Sequence, residues 1–161
     1  MAFEPKKESF NIISRATPFG NGFTLLGVHF DTGLTMTEAV NKLHWNASWK
    51  LRSLLRCRRY YDTTEIISMY KAKILSYLEY RTPAVYHATA TLLSSIDNVQ
   101  EKMLREVEVS SVDALLHYHL APLIARRDRA MLGLIHRSVL GLGPSQFHNF
   151  FKKKNWRLCP S

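Results

Sequence analysis

Near residue 33 the pattern of apolar residues changes. Before it they cluster in short strand-like runs; after it they recur at every third or fourth position. That switch from period two to period 3.6 limits the fold to a short β-hairpin in front and helices behind. Residues 8–15, containing SFNIIS, and 23–30, FTLLGVHF, read as the two strands, with ATPFGNG supplying the turn between them. Gly27 interrupts the second strand, the mark of a bulge or of a close backbone approach. The fold class expected is mainly α: a short N-terminal β-hairpin followed by a bundle of four to five helices.

The first helix is expected from Thr35, where Thr35 and Glu38 have the spacing of a capping box. Met36, Val40, Leu43, Ala47, Leu51 and Leu54 form its apolar stripe to about residue 58. A second helix starts near Asp62, with Glu65 three positions on, and buries Ile66, Tyr70, Ile74 and Leu78. The Arg-Thr-Pro at 81–83 is expected to break or kink it. The third helix, 89–108, carries Leu92, Ile96, Val99, Met103 and Val107 on one side. Ser110 or Ser111 caps a short fourth helix, 112–120. Pro122 opens a fifth, about 122–140, which GLGP ends. The implied units are 1–33 for the hairpin, 34–108 for the main bundle, 109–144 for further helices packed on it, and 145–161 for a basic tail.

With 46% hydrophobic and 22% charged residues the chain can bury a core and is not disordered by composition. No apolar run approaches a membrane span. MAFEPKKESF lacks the apolar segment of a secretory signal, and Cys57 and Cys159 alone build no disulfide framework. The expected location is therefore intracellular, in nucleus or cytoplasm, and not secreted.

The net charge of +9 is unevenly spread. Residues 42–61 hold six bases and no acid, and residues 122–161 hold eight bases and one acid, on either side of an acidic middle. Clustering of this kind suits an acidic polymer. At 100° per residue, Trp45, Trp49, Arg52, Arg56 and Arg59 fall within about 80° of one another, opposite the leucines of the first helix. Guanidinium groups grip phosphates bidentately, and indoles stack on bases or sugars. Two readings stand side by side: a helix laid along a nucleic-acid backbone, or tryptophans packed against a neighbouring element with solvated arginines.

Other chemistries find little support. His117 and His119 point to opposite sides of a helix, and neither cysteine has a CxxC partner, so no metal site is expected. No Gly-x-Ser-x-Gly elbow is present. Asp31, Asp62, Asp97, Asp113 and Asp128 are isolated from one another in sequence, whereas two-metal phosphoryl transfer needs closely placed carboxylates.

The series EPKKESFNIISR, FTLLGVHFD, YKAKILSYLEYRTPAVYHAT and SSIDNVQEKMLREV resembles the C-terminal part of a reverse transcriptase of the non-LTR retrotransposon type, over roughly residues 3 to 108. Tyr70, Lys71, Glu79, Tyr80 and Pro83 match a pattern of that region. The resemblance implies a junction between palm and thumb: 1–33 as a palm-edge hairpin, 34–108 as a thumb that holds template–primer duplex. It implies that Leu26, Gly27 and Val28 form the primer grip, and that Lys7 matches the lysine on the pyrophosphate side. The fingers and both catalytic aspartate motifs lie upstream in the family. The chain is thus expected to bind RNA or DNA template–primer without polymerase activity of its own. It would bind no cofactor, with Mg2+ belonging only to a full-length polymerase, and its further partner would be the fingers and palm of a longer chain. The alternative is a helical protein-interaction module whose basic faces meet an acidic protein.

Overall fold

Leu26 and Gly27 both take positive φ, 49° and 76°. Two such residues in a row form a type I′ turn, whose twist matches that of a tight hairpin. The computed structural model describes residues 22–147, and its first feature is this turn. It joins β1 (Gly22–Leu25) to β2 (Val28–Asp31), antiparallel, with Phe23 opposite Phe30 and Leu25 opposite Val28. The run read as one strand at 23–30 therefore folds back on itself. Gly27 is not a bulge but the second turn residue. A Cβ placed on it would meet only the Arg81 guanidinium at an ordinary 3.6 Å, so its φ, not crowding, favours glycine. The Phe23 and Phe30 rings stack across the strands at 5.2 Å. The strand expected at 8–15 lies outside the described residues.

Helices follow, as expected: α1 (Thr37–Arg56), α2 (Thr63–Tyr70), a π turn (Lys71–Leu75), α3 (Ser76–Val85), α4 (Ala90–Glu106), α5 (Ser111–Leu116) and α6 (Leu123–Val139). The α2–π–α3 stretch is continuous, so five helical rods result. α1 lies against β2, α2, α3 and α4, and α6 packs on α3 and α4.

The start of α1 differs from the expected capping box. Asp31, at the end of β2, takes the donors first: Oδ2 accepts from the Thr35 amide (3.0 Å) and hydroxyl (2.7 Å), and Oδ1 from the Met36 amide (3.0 Å). Met36 sits in the left-handed region and the helix begins at Thr37. Glu38, freed from capping, reaches His29 at 3.3 Å. The second capping box does form: Asp62 accepts from the Thr64 amide, and Glu65 accepts from the Asp62 amide at 3.0 Å. Thr89 and Ser110 cap α4 and α5 more simply, each hydroxyl accepting from one amide, of Leu92 and of Asp113.

Pro83 lies inside α3 and does not end it; the helix runs on to Val85. A proline there removes one hydrogen bond and crowds the preceding turn. Leu78, Thr82 and Val85, all buried, hold that segment in place by packing. The expected stripes otherwise form the core, except that Ile67 stands in the main cluster in place of the expected Ile66; Ile66 is buried outside it. Val40, Leu43, Ala47 and Leu51 of α1 meet Ile67, Tyr70, Ile74 and Leu78, with Ile96, Val99 and Met103 of α4; Val28, Ala114, Leu120 and Leu123 extend the same cluster. Leu54, Leu92 and Val107 are only half-buried at its edge.

The caps set an acid limit on stability. The Thr35 hydroxyl and the Met36 amide hold the Asp31 carboxyl at about 2, below its ordinary 3.8, and the Thr63 and Thr64 amides lower Asp62 as well. Both groups are more acidic folded than unfolded, so the unfolded chain takes up protons first as pH falls. Their contribution is complete above pH 3.8 and fades as pH falls toward about 2. Melting temperature followed across that window should drop less steeply in an Asp31→Asn, Asp62→Asn variant than in the parent. Equal steepness would deny the caps this role.

Candidate nucleic-acid interface

A helix of 20 residues spans about 30 Å, and one long side of α1 faces solvent. The core residues Val40, Leu43, Ala47 and Leu51 fix its rotation, which turns Trp45, Trp49, Arg52 and Arg56 outward. Trp45 is 67% exposed and Trp49 58% exposed, so neither packs as a core residue. Arg52 and Arg56 are exposed, and no carboxylate among the described residues pairs with either. The helix holds one acid, Glu38, in its first turn, and it turns to His29.

Arg59 does not share the helix face, because α1 ends at Arg56 and residues 57–59 form a turn. It is exposed there, one turn past the helix end. Its neighbour Arg58 is held within the fold. Arg58 Nη1 donates to the Glu106 carboxylate at 2.7 Å and to the Glu106 carbonyl at 3.1 Å, tying the turn to the end of α4. Asp62 begins α2 immediately afterwards, which cuts α1 short of the expected residue 58.

Three further cations flank the face. Lys42 is exposed one turn before Trp45, and the same 100° arithmetic that found the arginines could have found it. Lys50 and Arg81 both lie on the Tyr77 ring, at 3.7 and 4.2 Å from its centre, while the Tyr77 hydroxyl accepts from Asn46 at 3.1 Å. Tyr77 and Arg81 stand one turn apart on α3, as helix periodicity allows, but Lys50 reaches them from α1, 27 and 31 residues away, and no periodicity signals that contact. The cluster joins the Leu26–Gly27 turn to the flank of α1.

Of the three residues the resemblance assigns to a primer grip, Leu26 is 76% exposed at the hairpin tip, Gly27 follows it in the turn, and Val28 is buried in the core. Lys7 lies outside the described residues, as does the basic run from Lys152 to Arg157.

The described aspartates are occupied separately. Asp31 and Asp62 cap helices, Asp97 binds Arg127, Asp113 accepts from the Ser110 hydroxyl, and Asp128 accepts from the Tyr86 hydroxyl at 3.0 Å, which pushes that phenol upward. They do not fit a two-metal centre. Nor, among the described residues, do three histidine, cysteine or acidic side chains gather as metal ligands. His44 instead bonds the Ser95 carbonyl at 2.8 Å, and His87 the Leu34 carbonyl at 3.0 Å. Among the described residues no helix is long and apolar enough to cross a membrane.

Compared with known proteins, the chain matches no family model, no curated protein and no solved structure.

Proposed function

We propose that this chain is a nucleic-acid-binding helical domain, the thumb-like C-terminal part of a reverse transcriptase, which holds template–primer duplex through the outer face of α1. One observation carries the proposal: two exposed indoles and two exposed guanidiniums share the outer side of a helix that offers them no carboxylate. Exposed guanidiniums at one-turn spacing suit successive phosphates, and exposed indoles beside them suit sugars or bases. Leu26 and Gly27 would approach the primer end from the hairpin. Polymerisation is not expected of this chain alone, and primer extension with magnesium or manganese should give no product.

Binding is tested with a short blunt duplex followed by anisotropy at several salt concentrations. Trp45→Ala and Trp49→Ala should each weaken binding, through lost indole contact with the sugars, and leave the salt slope as it was. Because both rings are exposed, neither change should lower the melting temperature. Loss of folding stability without loss of affinity would return the tryptophans to a packing role.

A second reading, a protein-interaction module, draws on α6, where Ile124, Leu132, Ile135 and Val139 are exposed on one side. An acidic protein held by the basic faces would bind with fixed stoichiometry and tolerate salt better than duplex does.

A further inference from the structure

A cleft of about 520 Å3 opens beside Trp49, between α1 and the π turn. Its floor is Leu54, Met69 and the buried Ile74; its walls are Trp49, Tyr61, Lys50 and Lys73. This volume falls within the roughly 300–1,000 Å3 of small-ligand pockets. Lys73 and Ile74 both belong to the π turn, and widened turns of this kind are frequent at functional sites. No carboxylate lines it, and Lys73 is exposed with no ion-pair partner among the described residues. An apolar floor, two aromatic rings and the Lys73 ammonium together suit a flat apolar ring that carries an anion; the Lys50 ammonium is turned to Tyr77 and only its stem borders the cleft.

We infer that this cleft receives a single unpaired nucleotide, its base against the Trp49 and Tyr61 side chains and its phosphate at Lys73. The inference rests on the proposed binding of nucleic acid along α1 and adds the substrate class: duplex with an unpaired terminal nucleotide, in preference to blunt duplex. Trp49 belongs to both the outer face and the cleft, so a strand leaving a duplex on α1 meets the opening directly.

The test compares three DNA probes with the full chain: a blunt duplex, the same duplex with one unpaired adenosine nucleotide, and the same with an abasic nucleotide there. The unpaired base should raise affinity about tenfold over the abasic overhang, the scale of one stacked base, while the abasic nucleotide should add over blunt duplex only the smaller, salt-dependent gain of its phosphate at Lys73. Cys57 lies on the cleft wall and is exposed. In a Cys159→Ser background, alkylation of Cys57 with a bulky maleimide should erase the gain. Equal affinity for the base-bearing and abasic overhangs, with salt-dependent blunt-duplex binding intact, overturns the cleft and leaves the α1 proposal standing. Absence of blunt-duplex binding at any salt, with a single-stranded oligonucleotide still bound and still blocked at Cys57, supports the cleft and overturns the α1 proposal. Should alkylation disturb folding, the comparison of base with abasic overhang on the unmodified chain decides alone.

Discussion

Replacing Asp97 with alanine is expected to destabilise the fold by about 3–5 kcal/mol, the usual cost of leaving a buried charge without its partner. Arg127 of α6 is 8% exposed and grips the Asp97 carboxylate of α4 with both terminal nitrogens, at 2.5 and 2.8 Å. Without Asp97 the buried guanidinium loses its carboxylate, so α6 must shift outward or the charge stays buried. Replacing both residues together, Asp97→Leu with Arg127→Met, should recover most of the loss, because a well-packed apolar pair is often as stable as the ion pair it replaces. Glu79 and Arg126 join α3 to α6 at 2.5 Å, but with their side chains 41% and 27% exposed. Glu79→Ala should therefore cost no more than about 1 kcal/mol. Urea unfolding of these variants checks the order; a Glu79 effect as large as that of Asp97 would contradict it.

The triple change of Arg52, Arg56 and Arg59 to alanine should act on binding and spare folding. Each guanidinium that neutralises a phosphate releases about 0.9 counterion, so losing three should flatten the slope of log affinity against log salt by roughly 2–3. Over a fourfold range of salt that slope amounts to about a 40-fold change in affinity, which the variant would no longer show. The three side chains are exposed and lack carboxylate partners among the described residues, so the unfolding midpoint should stay where it was. Arg58→Ala makes the contrasting control, since its guanidinium already serves Glu106. A triple variant with unchanged affinity and slope would take α1 out of the nucleic-acid face.

The helices were legible because each stripe repeats within its own segment. Val40, Leu43, Ala47 and Leu51 dictate one rotation of α1, and the outward placing of Trp45, Trp49, Arg52 and Arg56 follows from it. What lay beyond the sequence depended on competition or distance. Asp31 outcompetes Thr35 for the start of α1, from four residues upstream and across the strand end. Leu26–Gly27 lacks the Asn-Gly or Asp-Gly chemistry that announces a type I′ turn, so the hairpin inside 22–31 reads as one strand with a bulge. Pro83 carries a local penalty that the packing of Leu78, Thr82 and Val85 overrides. Arg59 leaves the helix face because the Asp62 cap claims the following turn for α2. Arg127 meets Asp97 across 30 residues, and Lys50 meets Tyr77 across 27, distances at which no periodicity reports a contact.

The outer face of α1 can be watched directly. The chain has three tryptophans, and a Trp156→Phe variant keeps only Trp45 and Trp49. Titrating that variant with blunt duplex while recording both indole emission and the anisotropy of a labelled strand puts the two events on one curve. Quenching that saturates at the same duplex concentration as the anisotropy, and that reverses on adding salt, is the result predicted. Duplex that binds with no change in indole emission, or no binding at low salt, would contradict the placing of nucleic acid on α1.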